Sequence, residues 1–312
     1  MRTAFFAIAL QVCAITAAVV KRATVNDVAT LGYATLNGGT SGGSGGPTTT
    51  VTTLDALTSA VAGTAKKIVL ISGTITGNAV VRVGSNTTVI GKTGSSLVGV
   101  GLRVLNEQNV IIRNVKISKV LHPGDAVAVQ ASHQVWIDHV DLSSDLDHGK
   151  DFYDGLCDLT HGVTGITVTN SFLHDHFKAS LIGHSDKNGA QDVAITVTMA
   201  NNLWRNVNSR TPSLRFGHGH VFNSVFDSDI ETNINTRDGA QMLVQNNVFM
   251  NTIFAIESTD VGFAVATGND FGGANNTAPV GNFTTPPYPF TLLPTSSVLA
   301  AVESTAGQTL TF

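Results

Sequence analysis

Short apolar runs separated by turn residues fill the chain from Lys67 onward. Val, Ile and Thr cluster in these runs, and Gly, Asn or Asp separates one run from the next, as in strands punctuated by turns. Six stretches share one outline, in which an apolar strand ends at Asn or Asp and a second strand follows directly: 110–115, 135–140, 166–171, 197–202, 220–225 and 243–248. The pattern predicts a repeated strand–turn–strand unit.

The turn residues recur at intervals that indicate a solenoid. They stand at positions 114, 138, 170, 201, 223, 246 and 269, so successive intervals are 24, 32, 31, 22, 23 and 23 residues. Such a period, lengthened twice by insertions, is typical of coils that each add a strand to parallel sheets. The leucine-rich repeat has a similar period, but its leucine spacing is absent. We predict an all-β chain, a right-handed parallel β-helix in one domain, whose Asn turns adopt the left-handed conformation and bond to their copies in the next coil.

Three segments outside the repeats have their own patterns. A short helix is predicted near Leu54, where it would cover the open end of the sheets. Its capping pair is Thr52 with Asp55, and its apolar positions are Leu54, Leu57 and Val61. The Gly- and Ser-rich stretch 38–47 predicts an exposed loop, and the Pro-rich stretch 286–289 is expected to cross the outside of the solenoid.

The N-terminal residues have the pattern of a targeting segment. Arg2 supplies a positive start, and residues 4–20 are apolar apart from Gln11 and Thr16. This run is shorter than the ~20 apolar residues of a membrane span. We expect a signal peptide at 1–18, a propeptide at 19–22 that ends in a Lys-Arg pair, and a secreted mature chain of 23–312. The alternative is an apolar helix that is retained. Sequons at Asn86, Asn275 and Asn282 fit secretion.

Charge narrows the range of partners. Charged residues make up only 13% of the chain, and its net charge is −4. Removing residues 1–22 takes away three of the 18 basic residues and none of the 22 acids, so the mature chain carries −7. A nucleic-acid partner is therefore not expected, nor is a membrane. An acidic substrate would need a local cluster of cations at its site. Cys157 is the single cysteine of the mature chain, so it forms no disulfide within it.

Acids and cations recur at intervals of about one repeat between residues 125 and 215. Stacked coils would place Asp125, Asp158, Lys178 and Arg210 on one flank roughly 15 Å wide. Several carboxylates supply the hard oxygen donors that Ca²⁺ requires, and the candidate ligands are Asp125, Asp154 and Asp158. Because Asp154 and Asp158 would lie ~13 Å apart on a straight strand, the chain must turn between them, and Gly155 permits this.

Cations on the same flank suggest an acidic ligand. Arg210 and Arg215 flank Pro212, and two guanidinium groups suit bidentate binding of carboxylates. Lys178 would add a third cation. Taken singly, these residues are equally explained as solvated surface charges, and the acids as caps of turns.

Five strings in this region resemble, in the same order, signature strings of the pectate lyases of the first polysaccharide lyase family. They are Trp-Ile-Asp-His at 136–139, Asp-Gly-Leu-Cys-Asp at 154–158, His-Asp-His-Phe-Lys at 174–178, Gly-His-Ser-Asp at 183–186 and Arg-Thr-Pro-Ser-Leu-Arg-Phe-Gly at 210–217. The resemblance covers most of the chain from about Gly32 onward.

The resemblance implies a role for each candidate residue. Arg210 would be the Brønsted base, Arg215 would support the substrate carboxylate, and Lys178 would grip a uronate group. Asp125, Asp154 and Asp158 would bind Ca²⁺. Many relatives have another aspartate where this chain has Pro123, so one calcium ligand is expected to be missing.

The implied reaction is β-elimination in polygalacturonate, an acidic polysaccharide of plant cell walls, by a secreted monomer. The proton at C5 is removed and the bond to the C4 oxygen breaks, which leaves a 4,5-unsaturated oligogalacturonide. Arginine is an unusual base because its guanidinium group is normally protonated. Nearby Ca²⁺ and Lys178 would disfavour that charged form, so we expect activity to rise above neutral pH.

Four alternatives stay open at this stage. A pectin lyase would act on methyl-esterified polymer, but pectin lyases lack the calcium acids. A polygalacturonase shares the solenoid and a Gly-His-Gly string like that at 217–219, but hydrolysis needs paired acids, and near His218 only Asp227 and Asp229 follow. The remaining two are an inert or carbohydrate-binding β-helix and a zinc site built on His174 and His176, which strand alternation would place on one face.

Overall fold

The computed structural model describes residues 23–312, apart from the side chains of residues 228–231. The predicted signal peptide and propeptide therefore lie outside the described residues. Most of the described chain is β-structure, with three short α-helices and one turn of 3-10 helix at Tyr33–Thr35. The α-helices are α1 Leu54–Ala60, α2 Gly189–Asp192 and α3 Thr295–Thr305. None of the helices in this range is long and apolar enough to cross a membrane.

Twenty-three strands follow one another along residues 23–312. The first twelve are β1 Thr48–Val51, β2 Lys67–Ile71, β3 Thr74–Arg82, β4 Thr87–Gly91, β5 Ser96–Leu105, β6 Gln108–Arg113, β7 Lys116–Ser118, β8 Val127–Gln130, β9 His133–Asp138, β10 Asp141–Ser143, β11 Cys157–Thr160 and β12 Thr164–Thr169. The others are β13 Phe172–Lys178, β14 Leu181–Ile182, β15 Thr196–Ala200, β16 Leu203–Ser209, β17 Ser213–Arg215, β18 His218–Phe222, β19 Val225–Arg237, β20 Gln241–Gln245, β21 Val248–Thr259, β22 Phe263–Thr267 and β23 Asn275–Asn276.

The strands form a parallel β-helix of about ten turns, which confirms the predicted fold. A ten-stranded parallel sheet runs in the order β1-β2-β4-β6-β9-β12-β15-β18-β20-β22. A 13-stranded sheet folds around a corner, because long strands such as β5 pair with β7 through one half and with β8 through the other. We call β7, β10, β13 and β16 the back face, and β8, β11, β14 and β17 the cleft face.

Apolar side chains stack in register through the centre of the solenoid. In the ten-stranded sheet Val110, Val135, Ile166 and Val197 occupy equivalent positions in successive coils, and all four are buried. Each coil thus covers the apolar row of the next, and burial of such a side chain contributes about 1.5–3 kcal/mol relative to exposure. Cys157 is buried in the same core and is free.

Asparagines line the turn that follows the ten-stranded sheet. Asn114, Asn170, Asn201, Asn223 and Asn246 have φ between 49° and 58°, so the predicted left-handed turns are confirmed there. In two coils the left-handed residue is a neighbour of the predicted one, namely His139 instead of Asp138 and Gly268 instead of Asn269.

The predicted ladder between coils runs one residue after the left-handed position. Asn202 Oδ1 accepts from Ser171 N, and Asn269 Oδ1 accepts from both N and Nδ2 of Asn247, each at 2.9 Å. The side chains of Asn114, Asn223 and Asn246 instead bind the C-terminal segment, as when Leu310 N donates to Asn114 Oδ1 at 2.9 Å.

The predicted N-terminal helix is present, with a different cap. Thr53, not Thr52, is the N-cap, and its Oγ1 accepts from Ala56 N at 3.3 Å. Asp55 consequently lies in the first turn and is not the partner of a capping box. Leu57 and Val61 are buried in the main core, so α1 covers the first coils as expected.

Both ends of the described chain lie on the outer side of the ten-stranded sheet. Tyr33 N donates to Thr198 Oγ1, and the same Thr198 hydroxyl donates to the buried Tyr288 of the Pro-rich segment. This confirms that the segment crosses the outside of the solenoid. Helix α3, which the sequence analysis did not predict, buries Val298 and Val302 against β16, β19 and β21.

The Gly- and Ser-rich stretch is only partly an exposed loop. Gly42 and Gly43 are buried against the start of the ten-stranded sheet, and a Cβ on Gly43 would stand 1.7 Å from Lys67 O. Glycine is needed there because of this close backbone approach. The prediction of an exposed loop was therefore wrong for the middle of the stretch.

Candidate functional site

The candidate residues lie on one corner of the solenoid, where the back face turns into the cleft face. Four successive connections form this corner: 119–126, 144–156, 179–180 and 210–212. Backbone hydrogen bonds join them in order, from Ala126 N to Gly155 O, from Leu156 N to Ala179 O and from Ser180 N to Arg210 O, at 2.8–3.0 Å. Since neighbouring strands stand ~4.8 Å apart, the row is about 15 Å long.

Gly155 brings two of the acids together. Its N–H donates to Asp125 Oδ1 at 2.8 Å. A Cβ on Gly155 would stand 2.4 Å from Asp158 Oδ1, so the Asp158 carboxylate packs directly against the glycine backbone. The sequence analysis expected Gly155 to permit a turn, but its role here is to allow this close approach. Leu181 N holds Asp158 from the other side at 2.9 Å.

Burial and mutual repulsion disfavour the charged forms of these acids. Burial is the largest effect and raises the pKa of Asp125 to about 6, and the charge of Asp154 acts in the same direction. Burial also raises the pKa of Asp158 well above its ordinary value, and the negative charge of Asp125 adds to the effect, while the charge of Arg210 opposes it. Crowded acids of this kind favour the arrival of a cation.

The donor set has the chemistry of a calcium site. In both Asp125 and Asp158 one carboxylate oxygen accepts from a backbone amide, and the second oxygen is left for a cation. Calcium binds six to eight oxygens from protein, water and ligand. However, no three His, Cys, Asp or Glu side chains in residues 23–312 converge closely enough to hold a metal ion by themselves. The three acids fit Ca²⁺ only if water and substrate oxygens complete the sphere.

Lys178 lies at the end of β13, beside Asp154. Its Nζ is 2.8 Å from Asp151 Oδ1 and 3.5 Å from Asp154 Oδ1. The other oxygen of Asp154 is 3.0 Å from His122 Nδ1. Asp151 and His122 thus belong to the site, and the sequence analysis missed both. Both lie in connections that the repeat pattern does not describe, and only their closeness in sequence to Asp125 and Asp154 could have drawn attention to them.

Arg210 has no side-chain partner among the described residues. It adopts a left-handed conformation with φ of 62° at the end of β16, and its charge reaches Asp158. Within the described residues its guanidinium group makes no hydrogen bond or ion pair. The structure therefore places Arg210 on the same side as Asp154 and Asp158 with its nitrogens available to a ligand.

Arg215 is held by acids. It follows Arg210 by one short strand, and its Nε is 2.6 Å from Asp186 Oδ1 and 3.5 Å from Asp238 Oδ2. Arg237 occupies the equivalent position in the next coil and also contacts Asp186, at 3.3 Å. Asp186, Asp238 and Arg237 are further neighbours that the sequence analysis did not identify as part of the site.

The two histidines of β13 belong to no group of three potential metal ligands within residues 23–312, so the zinc-site alternative is not supported. Asp175 between them has φ of 49°, which interrupts the expected strand alternation. His174 lies between Asp141 and Asp175. His176 is buried, and burial lowers its pKa to about 4, so its ring is neutral near pH 7. Because the Asp154 carbonyl can only accept, His176 Nε2 donates to it, and Nδ1 accepts from Ser144 Oγ at 2.6 Å.

The histidine considered for a hydrolase lies in the ten-stranded sheet, away from the corner that carries Arg210. His218 begins β18, and its ring packs edge-on against Phe283 with the ring centroids 5.1 Å apart. Asp227, the acid that follows it, forms an ion pair with Arg205 at 2.8 Å.

Comparison with known proteins gives the family. The family described as Pectate lyase matches residues 8–270. Pectate lyase A of Aspergillus niger is 55% identical over 296 residues, which cover 94% of this chain and 91% of that protein. Pectate lyase A of Emericella nidulans is 54% identical over 94% of this chain and 90% of its own.

A solved structure agrees with this placement. The pectate lyase of Bacillus sp. N165, crystallised in complex with trigalacturonate, superimposes with a TM-score of 0.80 at 29% identity and covers 89% of this chain and 98% of its own. Family, relatives and fold lead to one conclusion, which is that this chain belongs to the pectate lyase family.

Proposed function

We propose that this protein is a calcium-dependent pectate lyase that cleaves the (1→4)-α-D-galacturonan chain of polygalacturonate by β-elimination. The observation that carries the proposal is the position of Arg210, which makes no hydrogen bond or ion pair within the described residues and lies beside Asp158, on the corner of the solenoid that also carries Asp125 and Asp154. A base and carboxylates that would receive a cation, placed this close together, suit the removal of a proton next to a uronate carboxylate. The relatives named pectate lyase and the neighbour bound to trigalacturonate support the same substrate class.

Arg210 is proposed to take the C5 proton in its neutral form. The electron pair of the C5–H bond then forms the C4–C5 double bond, and the C4–O bond breaks. The departing oxygen gains a proton and becomes the new reducing end of the other fragment. No water is consumed, so the reaction differs from hydrolysis by its unsaturated product.

The remaining residues are proposed to bind and orient the uronate. Asp125, Asp154 and Asp158 would hold Ca²⁺, which supplies charge neutralisation at the substrate carboxylate when bound. Lys178 would bind the carboxylate of a neighbouring uronate, which would replace Asp151 as its partner. Arg215 would support the carboxylate next to the reacting carbon, for which its planar fork of donors is suited. His176 would keep the Asp154 main chain in place.

A single assay tests the reaction class. The protein is incubated with polygalacturonate, and the ultraviolet absorbance of the unsaturated product is followed together with the number of reducing ends. We expect both to rise in parallel, to stop when excess chelator is added and to resume on addition of calcium. Reducing ends without absorbance would show a hydrolase, and faster reaction on highly methyl-esterified pectin would show a pectin lyase.

Secretion and a monomeric state are proposed with this function. A polymer of the plant cell wall is met outside the cell, and the Lys-Arg pair at residues 21–22 would release a mature chain that begins at Ala23. Among the sequon asparagines Asn275 and Asn282 are exposed, whereas Asn86 Nδ2 donates to Thr64 O. Sedimentation and glycan mapping of the secreted protein would test these points.

A further inference from the structure

The arginines of the described chain differ in whether they have a partner. Four are ion-paired with acids: Arg113, Arg205, Arg215 and Arg237. Arg82 is exposed to solvent. Arg103 and Arg210 are partly buried, and within residues 23–312 neither side chain makes a hydrogen bond or an ion pair. Arg210 is the proposed base, which accounts for its free side chain. The proposed reaction gives no such reason for the free side chain of Arg103.

Arg103 lies in line with the candidate site. It belongs to β5 and pairs in register with Ala128 of β8, which in turn pairs with Asp158 of β11. The Cα positions of Arg103 and Asp158 are therefore two coils apart, about 10 Å. The acids lie between Arg103 on the N-terminal side and Arg210 on the C-terminal side.

A cavity of 340 Å³ adjoins Arg103. Its polar lining comes from Arg103, Asn78 and His122, and Val80, Leu121 and Pro123 are among its apolar walls. His122 also contacts Asp154, so the cavity borders directly on the candidate calcium acids.

The Arg103 guanidinium group has unused donors inside this site. Its Nε is buried and has no hydrogen-bond partner. Leaving a buried charged donor unsatisfied costs free energy unless a ligand restores the bond. Asp125 is close enough for the charge of Arg103 to act on it, but the two side chains form no ion pair. Arg103 also lines the cavity, so an acceptor that enters the cavity would find further donors of the same guanidinium group.

We propose that Arg103 is a further uronate-binding residue, which takes the carboxylate of a galacturonate unit in the cavity one coil N-terminal to the calcium acids. Asn78 and His122 would contact hydroxyl groups of the same unit. The inference rests on the proposed function, because it assumes a chain of uronates lying across the coils. With Arg103 included, the substrate-binding surface extends beyond the row from Asp125 to Arg215. Oligomers long enough to reach Arg103 should therefore bind more tightly.

Kinetics on substrates of two lengths test the proposal. The variants are Arg103→Ala and the charge-conserving Arg103→Lys, with Arg82→Ala as a matched control because Arg82 is the exposed arginine one coil away in register. Trigalacturonate and hexagalacturonate are compared at saturating calcium. Arg103→Ala should raise KM for the hexamer about tenfold, the scale of a lost charge-assisted hydrogen bond. The effect on the trimer should be much smaller, Arg103→Lys should be intermediate, and Arg82→Ala should match the wild type.

Two further measurements separate this role from others. The calcium concentration for half-maximal rate should be the same in wild type and Arg103→Ala, and the two should unfold at similar temperatures. Equal losses on both oligomers, an unchanged KM, or a shifted calcium midpoint would overturn the proposal. Calorimetric titration with hexagalacturonate measures the contribution of Arg103 to binding affinity separately from turnover, and Arg103→Ala should bind more weakly than the wild type. Absence of unsaturated product from the wild type would instead count against the proposed function.

Discussion

Arg215 and Asp186 form an ion pair at 2.6 Å across the rim of the candidate cleft. The Arg215 side chain is 12% exposed, whereas that of Asp186 is 60% exposed and lies on the short segment before α2. The arginine proposed to support the substrate carboxylate is thus already bound to a carboxylate of the protein. A uronate that binds Arg215 through Nε must displace Asp186.

Replacing Asp186 should therefore improve substrate binding. We expect Asp186→Asn to lower KM for polygalacturonate a few-fold, the scale of an exposed ion pair, with kcat unchanged. Initial rates over a range of substrate concentrations measure this, and Asp147→Asn, another exposed acid on the chain, is the control. A fall in kcat without a change in KM would mean that Asp186 positions Arg215 and does not compete with substrate.

Adding one methyl group at Gly155 should disturb the calcium acids. In Gly155→Ala the new Cβ would meet Asp158 Oδ1 at 2.4 Å, so the carboxylate or the backbone must move. We expect the calcium requirement to rise by about tenfold or more, the scale seen when a group that positions metal ligands is changed. Gly149→Ala lies in the same connection with nothing within 4 Å of its Cβ and should behave as wild type. Similar calcium titrations for the two variants would refute the role given to Gly155.

The ion pair of His174 predicts a pH dependence of stability. Burial acts to lower the pKa of His174, but hydrogen bonds and charges from Asp141 and Asp175 outweigh it and raise the pKa above 6.5. A raised pKa means that the folded state binds the proton more tightly. The contribution is then complete below pH 6.5 and is lost as the pH rises through the folded pKa.

Denaturant unfolding at several pH values tests this prediction. The stability of the wild type relative to His174→Gln should fall by on the order of 1 kcal/mol as the pH rises above 6.5, because this difference isolates His174 from the other histidines. The stability relative to His133→Gln, which alters an exposed contact with Gln108, should not change with pH in this way. Parallel curves for wild type and His174→Gln would contradict the assignment.

The repeat was readable from the sequence because each coil must bury the same apolar positions. That regularity predicted the parallel β-helix and the left-handed asparagines, and it placed Asp125, Asp158, Lys178 and Arg210 on one flank. The roles of these residues came from the resemblance to a family, and they stay predictions.

The repeat pattern could not predict which residues contact the site residues. Asp151 and His122 lie in the connections 144–156 and 119–126, whose paths depend on their own turns and not on the repeat. Asp186 reaches Arg215 from 29 residues away. The N-cap at Thr53 and the packing of Gly43 depend on contacts with neighbouring coils, which a local pattern does not contain.

The central claim is that the unpaired Arg210 removes a proton from the substrate, and its substitution is the most direct test. At saturating calcium and substrate, the rate of unsaturated-product formation by Arg210→Ala should fall by at least about 10²-fold, as expected for loss of a general base, while the variant unfolds at the wild-type temperature and still binds hexagalacturonate. A folded Arg210→Ala protein that retains a rate within a few-fold of the wild type would contradict the account.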